Sequence, residues 1–402
     1  MKLRKLEADF MEEAVIVGAA RTAIGDFMGA LKDVSAVDLG IAAVQGALKK
    51  AGIGPELVEE VVGGMIYKAG AKGNPARQVQ LKTGIPLEGA ATTVEQLCGS
   101  AMRALEIASQ QILLGKTSVG VAVGMESMSQ APYLLLNARQ GLRLGSDSIE
   151  DHLLHDALID AFSGTHMGIT AENLAEKYGI SREEQDDLAL LSHQRAVAAA
   201  ESGKFRAEIV PVEVKSRKGT IVIDTDEHPR ADMSREKLAA LRPAFKKDGT
   251  VTAGNASSIN DGAAALVLMT ARRARELGVS PIARIRATAS FGVAPEIMGI
   301  GPAYAIPKAL KYADLQMKDI DYFEINEAFA AQFLAVNREL NIDLSRVNAN
   351  GSGIALGHPV GCTGIRIIVT MLEEMKRRQG RYGVASLCVG GGPAMATVIE
   401  MI

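Results

Sequence analysis

Several features that would each mark a particular class are missing from this sequence. Only three cysteines, Cys98, Cys362 and Cys388, stand among 402 residues. An odd number without framework spacing excludes a disulfide scaffold and fits free thiols in a reducing compartment. The cysteines and histidines do not fall at zinc-ligand spacing, so no metal site is expected. No apolar run approaches the roughly 18 residues that a membrane-spanning helix needs. There is no basic block either. With 48% hydrophobic residues, 23% charged residues and a formal net charge of −3, small molecules are expected as partners, and a nucleic acid or an anionic membrane is not. "GSGIALG" departs from the G-x-G-x-x-G fingerprint, which argues against a Rossmann nucleotide site. The opening "MKLRKLEADFMEE" mixes basic residues with Glu7, Asp9, Glu12 and Glu13 and lacks the apolar core of a signal peptide. It reads as a short extension before the first strand, and a cytoplasmic location is expected.

What is present is α/β alternation. Val- and Ile-rich runs at 13–20, 117–125, 264–270 and 383–391 read as strands. Between them, 36–52 and 101–115 carry apolar residues at helical spacing and end at Gly, the expected stop. From residue 129 to 259 the texture turns polar, with short helical patterns joined by irregular segments, as in an insertion between core strands. The length allows two or three domains.

The chain also repeats itself. "AVQGALKKA" (43–51) matches "AIPKALKYA" (305–313) at an offset of 262, and "GSAMRAL" (99–105) meets "CTGIRII" (362–368) at 263, pairing Ser100 with Thr363 and Arg103 with Arg366. Each copy continues through a helix, a Gly (Gly115, Gly380) and an apolar strand expected to end at Gly124 or Gly390. A constant offset points to a duplicated α/β unit. Two such halves packed face to face bring equivalent loops into one cleft.

That cleft would hold chemistry. Cys98 opens a helix of the first half, and the matching point of the second half is Gly361, three residues after His358. A thiol at a helix N-terminus is expected to feel the positive end of the dipole and have a lowered pKa. Small Gly99 and Ser100 would let a substrate approach, with backbone N–H groups free to face an oxyanion. A lone cysteine is otherwise ordinary core filler, and the Gly run after Cys388 could be only a tight turn. His358, between Gly357 and Pro359, sits in a rigid loop.

Together "QLCGS" around Cys98, "NEAFA" at 326–330, "GHPVGCTG" around His358 and "CVGGGPAMA" from Cys388 resemble the signature blocks of the thiolases, and the likeness runs over almost the whole chain. The resemblance implies a duplicated five-layered α/β/α/β/α fold. Its N-terminal domain would comprise 1–128 plus 260–281, an inserted loop domain binding coenzyme A would span 129–259, and a C-terminal domain would span 282–402. It implies that Cys98 carries the acyl group, that His358 takes the thiol proton, and that Cys388 is the acid/base at C2 of a second acetyl-CoA. His358 and a water held by Asn326 would form one oxyanion hole, and the N–H groups of Cys98 and Gly390 would form another. His166, Met167, Met298, Ala328 and Phe329 would border the acyl pocket, and Phe245, Ser257 and Arg230 would contact coenzyme A. A buried structural role for His166 and a solvated basic face for Arg230 are the alternatives. Substrates and products would be acetyl-CoA, 3-ketoacyl-CoA and coenzyme A, with no cofactor, in a homodimer or homotetramer.

Some residues depart from the family pattern. Glu95, Ala101, Lys237 and Cys362 stand where many members carry other residues. "GHPVGC" favours degradative 3-ketoacyl enzymes, whereas His166 and Met167 favour acetyl-CoA C-acetyltransferase, the reading preferred here. Cys388 argues against a decarboxylating ketoacyl synthase and Asn326 against a sterol-carrier-type thiolase. A non-catalytic relative would have little reason to keep both thiols and the imidazole.

Overall fold

A computed structural model describes residues 12–142, 144–216 and 219–402. Residues 1–11 of the expected N-terminal extension lie outside the described residues. The principal strands are β1 (Ala14–Thr22), β2 (Glu60–Gly64), β3 (Ala90–Val94), β4 (Val119–Ser127), β5 (Asn260–Thr270), β6 (Ala283–Gly292), β7 (Tyr322–Ile325), β8 (Tyr382–Cys388) and β9 (Pro393–Met401). The helices that matter below are α1 (Ala36–Ala51), α2 (Ser100–Leu113), α3 (Met167–Tyr178), α4 (Arg182–Glu201), α5 (Pro302–Tyr312) and α6 (Thr363–Arg378).

These strands lie in the order β7-β8-β9-β6-β1-β5-β4-β2-β3. From the junction of β6 with β1 outward the two sides repeat. Each has two antiparallel neighbours and then a parallel pair, β4 with β2 on one side and β8 with β7 on the other. Where β3 flanks β2, a single parallel bridge from Phe323 to Val347 flanks β7. The duplication read from sequence offsets is therefore present in the topology. The half-sheets join through only two residue pairs, Val15 with Arg284 and Ile16 with Ala283.

Strand alternation builds the layers. On β5, Ala264, Leu266 and Leu268 face a central core shared by α2 and α6, while Ala263, Ala265, Val267 and Met269 face outward onto α1. On β8, Ala385 and Leu387 face the same central core, while Val384 faces the side occupied by α5. Strands buried on both faces read as continuous apolar runs, which is why the sequence marks them clearly. The result is five layers, α/β/α/β/α, with the two central helices beginning at neighbouring points.

Local signals behave as chemistry requires. Ser35 caps α1 by accepting from Asp38 N, and Gly52 ends it at φ 69°. The expected end of the first-half strand at Gly124 is not observed, because β4 continues to Ser127. Gly124 has a packing role instead. A Cβ there would lie 2.5 Å from Ala101 Cβ and 2.9 Å from Cys362 Cα, so its absence lets both central helices reach the strand.

Residues 129–259 leave from β4 and return as β5, its antiparallel neighbour. They carry α3, α4 and two small two-stranded sheets. Fully buried Arg21 on β1 pairs with Asp226 at 2.7 Å and Glu208 at 3.1 Å, anchoring this excursion to the core. Removing one partner of such a pair costs about 3–5 kcal/mol, because the other charge is left buried and alone. No helix among the described residues is long and apolar enough to cross a membrane.

Candidate active site

A cavity of about 330 Å³ opens where α2 and α6 begin, and Cys98, His358, Cys388 and Gly390 all line it. Residues 157–158, 166–167, 244–245, 256–259 and 328–329 supply further wall. The sequence-expected His166, Met167, Phe245, Ser257, Met298, Ala328 and Phe329 are among these lining residues. Asn326 is fully buried behind His358. Arg230 is not brought to the cavity. It borders a separate shallow depression with His193 and Met233, its guanidinium 3.7 Å from Asp26.

Cys98 sits two residues before α2, in a tightly bonded loop. Ser100 Oγ donates to Leu97 O at 2.7 Å and accepts from Gln96 N at 2.9 Å, and Glu95 Oε1 accepts from Leu97 N at 2.6 Å. Leu97 is thereby held at φ 44°, a left-handed conformation that costs a branched residue about 1–2 kcal/mol. Glu95, a departure from the family pattern, thus acts locally on the residue before the thiol.

The expected lowering of the Cys98 pKa is not what the surroundings produce. Burial pushes the thiol up to about 11, outweighing the N–H groups of Gly390 and of Cys98 itself, which bond the sulfur and pull the other way. Desolvation of the thiolate wins over these dipoles. Cys388, at the end of β8, is also raised well above the ordinary range, by burial and then by the Cys98 sulfur nearby.

His358 is locked on three sides. Its N–H donates to Asn260 Oδ1 at 2.8 Å, and its Nδ1 lies 2.6 Å from Thr363 Oγ1, whose hydroxyl donates to Pro359 O at 3.0 Å. Because that hydroxyl proton is already committed, Thr363 must accept from Nδ1–H, which leaves the lone pair on Nε2. Asn326 Nδ2 lies 3.5 Å from Nε2, and Asn326 Oδ1 is buried with no hydrogen-bond partner among the described residues. Burial, then the Arg366 charge, hold the imidazole pKa at about 3, so His358 is neutral and keeps its lone pair at Nε2.

The far wall is apolar. His166 Nδ1 accepts from Gly168 N at 3.0 Å to cap α3, and its ring lines the cavity stacked on Phe245 with centroids 4.6 Å apart. Leu97 and Met167 crowd Gly390. A Cβ there would lie 2.7 Å from Leu97 Cδ1 and 2.8 Å from Met167 Cε. Ser257 N donates to Ala328 O at 2.9 Å, fastening the 252–258 loop to the "NEAFA" segment. Among the departures, Lys237 pairs with Asp232 on the surface, Ala101 packs against Gly124, and Cys362 is buried as the cap of α6.

Sequence reasoning missed Thr363, Asn260 and Leu97. The repeat did pair Thr363 with Ser100, and both hydroxyls turn out to bond carbonyls at a central helix start.

A nucleophile-type thiol, a neutral imidazole, a second thiol and inward N–H groups on a duplicated five-layered core define a class, and the chain belongs to the thiolase family. The family's N-terminal domain model matches residues 14–272 and its C-terminal domain model residues 279–401. The chain is 53% identical over 393 residues to an acetyl-CoA acetyltransferase of Escherichia coli, covering 98% of this chain and 100% of that one. It resembles the solved acetyl-CoA acetyltransferase of Syntrophomonas wolfei with a TM-score of 0.96 at 50% identity, covering 98% and 100% of the two chains. It resembles human mitochondrial 3-ketoacyl-CoA thiolase with a TM-score of 0.94 at 45% identity, covering 97% and 99%.

Proposed function

We propose that this chain is an acetyl-CoA C-acetyltransferase, joining two acetyl-CoA into acetoacetyl-CoA and coenzyme A and running the thiolytic reverse. The observation that carries the reading is the shared cavity of Cys98, His358, Cys388 and Gly390. Cys98 gives its proton to His358 Nε2 and its sulfur attacks the thioester carbonyl, whose oxyanion receives the N–H groups of Cys98 and Gly390. Coenzyme A leaves with the proton of Cys388, so acetyl-Cys98, an imidazolium and a Cys388 thiolate remain. The raised pKa of Cys388 makes that thiolate a strong base, suited to the weakly acidic C2 proton of a second acetyl-CoA. The enolate attacks acetyl-Cys98, acetoacetyl-CoA forms, and Cys98 recovers its proton from His358. The cycle is redox-neutral and needs no cofactor; coenzyme A is substrate and product. Asn326, with its free Oδ1, suits a water beside the oxyanion of the acetyl-CoA enolate.

His166, Met167, Met298, Ala328 and Phe329 would bound the acyl group, and Phe245, Ser257 and, further out, Arg230 would contact coenzyme A. The 129–259 segment would form the coenzyme A-binding domain between an N-terminal domain (1–128 with 260–281) and a C-terminal one (282–402). Among the described residues β3 is an edge strand of the large sheet, in keeping with a homodimer or homotetramer, and a cytoplasmic location suits three free thiols. A degradative 3-ketoacyl-CoA thiolase is the second reading, favoured by the likeness to the human enzyme. The deciding experiment is thiolysis of acetoacetyl-CoA against 3-ketooctanoyl-CoA with free coenzyme A. Faster turnover of the four-carbon substrate is expected; equal rates would move the assignment to the second reading.

A further inference from the structure

The Glu126 side chain, one residue before the end of β4, is fully buried, and its charge raises the Cys98 pKa, yet its hydrogen bonds go to none of the groups given a chemical role above. Among the described residues no cation forms a salt bridge with it, and the Lys68 charge pulls its pKa down only in part. Instead, its Oε2 accepts from Ile66 N at 3.0 Å and from Gly361 N at 2.9 Å, and its Oε1 accepts from Tyr67 N at 3.1 Å. The first and third of these donors belong to the first half. Gly361 belongs to the second half and follows His358 by three residues.

The carboxylate thus spans the cleft beneath the cavity. Ile66, which carries one of the bonded amides, and Val360, next to another, both line it. By the repeat, Gly361 is the counterpart of Cys98, and a Cβ at Gly361 would lie 2.3 Å from Glu126 Oε2. Where one half presents its sulfur, the other omits a side chain and the carboxylate fills the space. Keeping a carboxylate dry with only backbone partners is expensive, and burial lifts its pKa to about 7. Retaining an acid here calls for a purpose beyond packing.

We propose that Glu126 is a positioning residue that fixes the His358 loop to the cavity floor and thereby sets Nε2 at the distance from Cys98 that acylation requires. This rests on the roles given above to Cys98 and His358. Gln at this site can accept on only one of its two terminal atoms, so at least one N–H would face an NH₂. Asp keeps the charge but is one methylene too short to reach both halves.

The test is single-turnover acetylation of Cys98 by acetyl-CoA, followed by mass spectrometry of the Cys98 peptide, in wild type, Glu126→Gln, Glu126→Asp and Cys98→Ala. Both Glu126 variants are expected to lower the maximal acetylation rate roughly 10- to 100-fold, as sub-ångström misplacement does. The acetyl-CoA concentration for half-maximal rate should stay within about twofold, since Glu126 does not border the coenzyme. A bystander charge gives a different pattern: Glu126→Gln would speed acetylation by relieving repulsion on the thiolate, and Glu126→Asp would match wild type. That pattern, or a folded variant within twofold of wild type, overturns the proposal. If the Glu126 variants do not fold, Gly361→Ala presses on the same contact and must slow acetylation likewise. Labelling of Cys98→Ala to the wild-type extent would overturn the nucleophile assignment instead, whatever Glu126 does.

Discussion

The Nδ1 of His358 stands 2.6 Å from the hydroxyl of Thr363, and that hydroxyl is itself committed to the Pro359 carbonyl at 3.0 Å. Two residues of one loop-helix junction thereby decide which imidazole nitrogen can take a proton. Thr363→Val removes the acceptor and leaves Nδ1–H buried without a partner. A loss of about 1–3 kcal/mol of stability is expected, with roughly tenfold slower acetylation of Cys98. Thr363→Ser should restore both. Calorimetry and rapid-quench labelling would check this; a Val variant as fast as wild type would show that the tautomer is not set here.

Gly390→Ala probes the inward amide without removing it. The new methyl meets only the ends of Leu97 and Met167, flexible groups that can yield. The fold should therefore hold, with a thermal midpoint within a few degrees of wild type, while the acyl carbonyl is pushed off its donors. A loss of about 10- to 100-fold in condensation rate is expected, the scale of one oxyanion donor. Unchanged kinetics would separate Gly390 from the reacting carbonyl.

Chain-length choice should respond to Met167. Its Cε lies over Gly390 and its side chain lines the cavity. Met167→Ala is expected to raise turnover of 3-ketooctanoyl-CoA relative to acetoacetyl-CoA by about tenfold, the discrimination available from a methylene or two in an apolar pocket. Competitive thiolysis assays measure the ratio directly, and an unaltered ratio would place the limit elsewhere in the wall.

Buried Glu324 makes stability depend on pH. Burial raises its pKa from 4.5 to about 8, against the partial opposing pull of Arg366. Between those values the folded chain keeps a proton that the unfolded chain has released. The resulting stabilisation is complete below pH 4.5 and is lost as pH rises through about 8. His358 acts in the opposite sense and at lower pH: depressed from 6.5 to about 3, it destabilises only as pH falls below 6.5. Glu126, raised to about 7, adds to the Glu324 trend. Thermal midpoints should therefore fall between pH 6.5 and pH 8, and Glu324→Gln should fall less steeply than wild type. Parallel curves would remove Glu324 from the explanation.

Much of this was legible in the residues because the fold is a repeat of strongly patterned units. Strands buried on both faces, such as β5, announce themselves as apolar runs, and a constant offset in the sequence puts Cys98 and the His358 loop at matching helix starts. Long-range electrostatics was not legible. A helix-start cysteine suggests an acidic thiol, and only the closed cavity shows that desolvation wins. Gly124 reads as a strand end in the sequence because its packing partners, Ala101 and Cys362, are inconspicuous in one case and far away in sequence in the other. Glu126 left no trace at all, since its three partners are backbone amides, which have no sequence signature. Arg230 shared a block with Phe245, yet only Phe245 reaches the cavity.

The most direct measurement is to mix the protein with acetyl-CoA, quench, digest and locate the acetyl group by mass spectrometry, while following acetoacetyl-CoA in parallel. The expected result is acetyl on Cys98 in wild type and in Cys388→Ala, no label in Cys98→Ala, and acetoacetyl-CoA from wild type alone. Acetyl carried by another residue, or condensation that survives loss of either sulfur, would contradict the two-thiol division of labour.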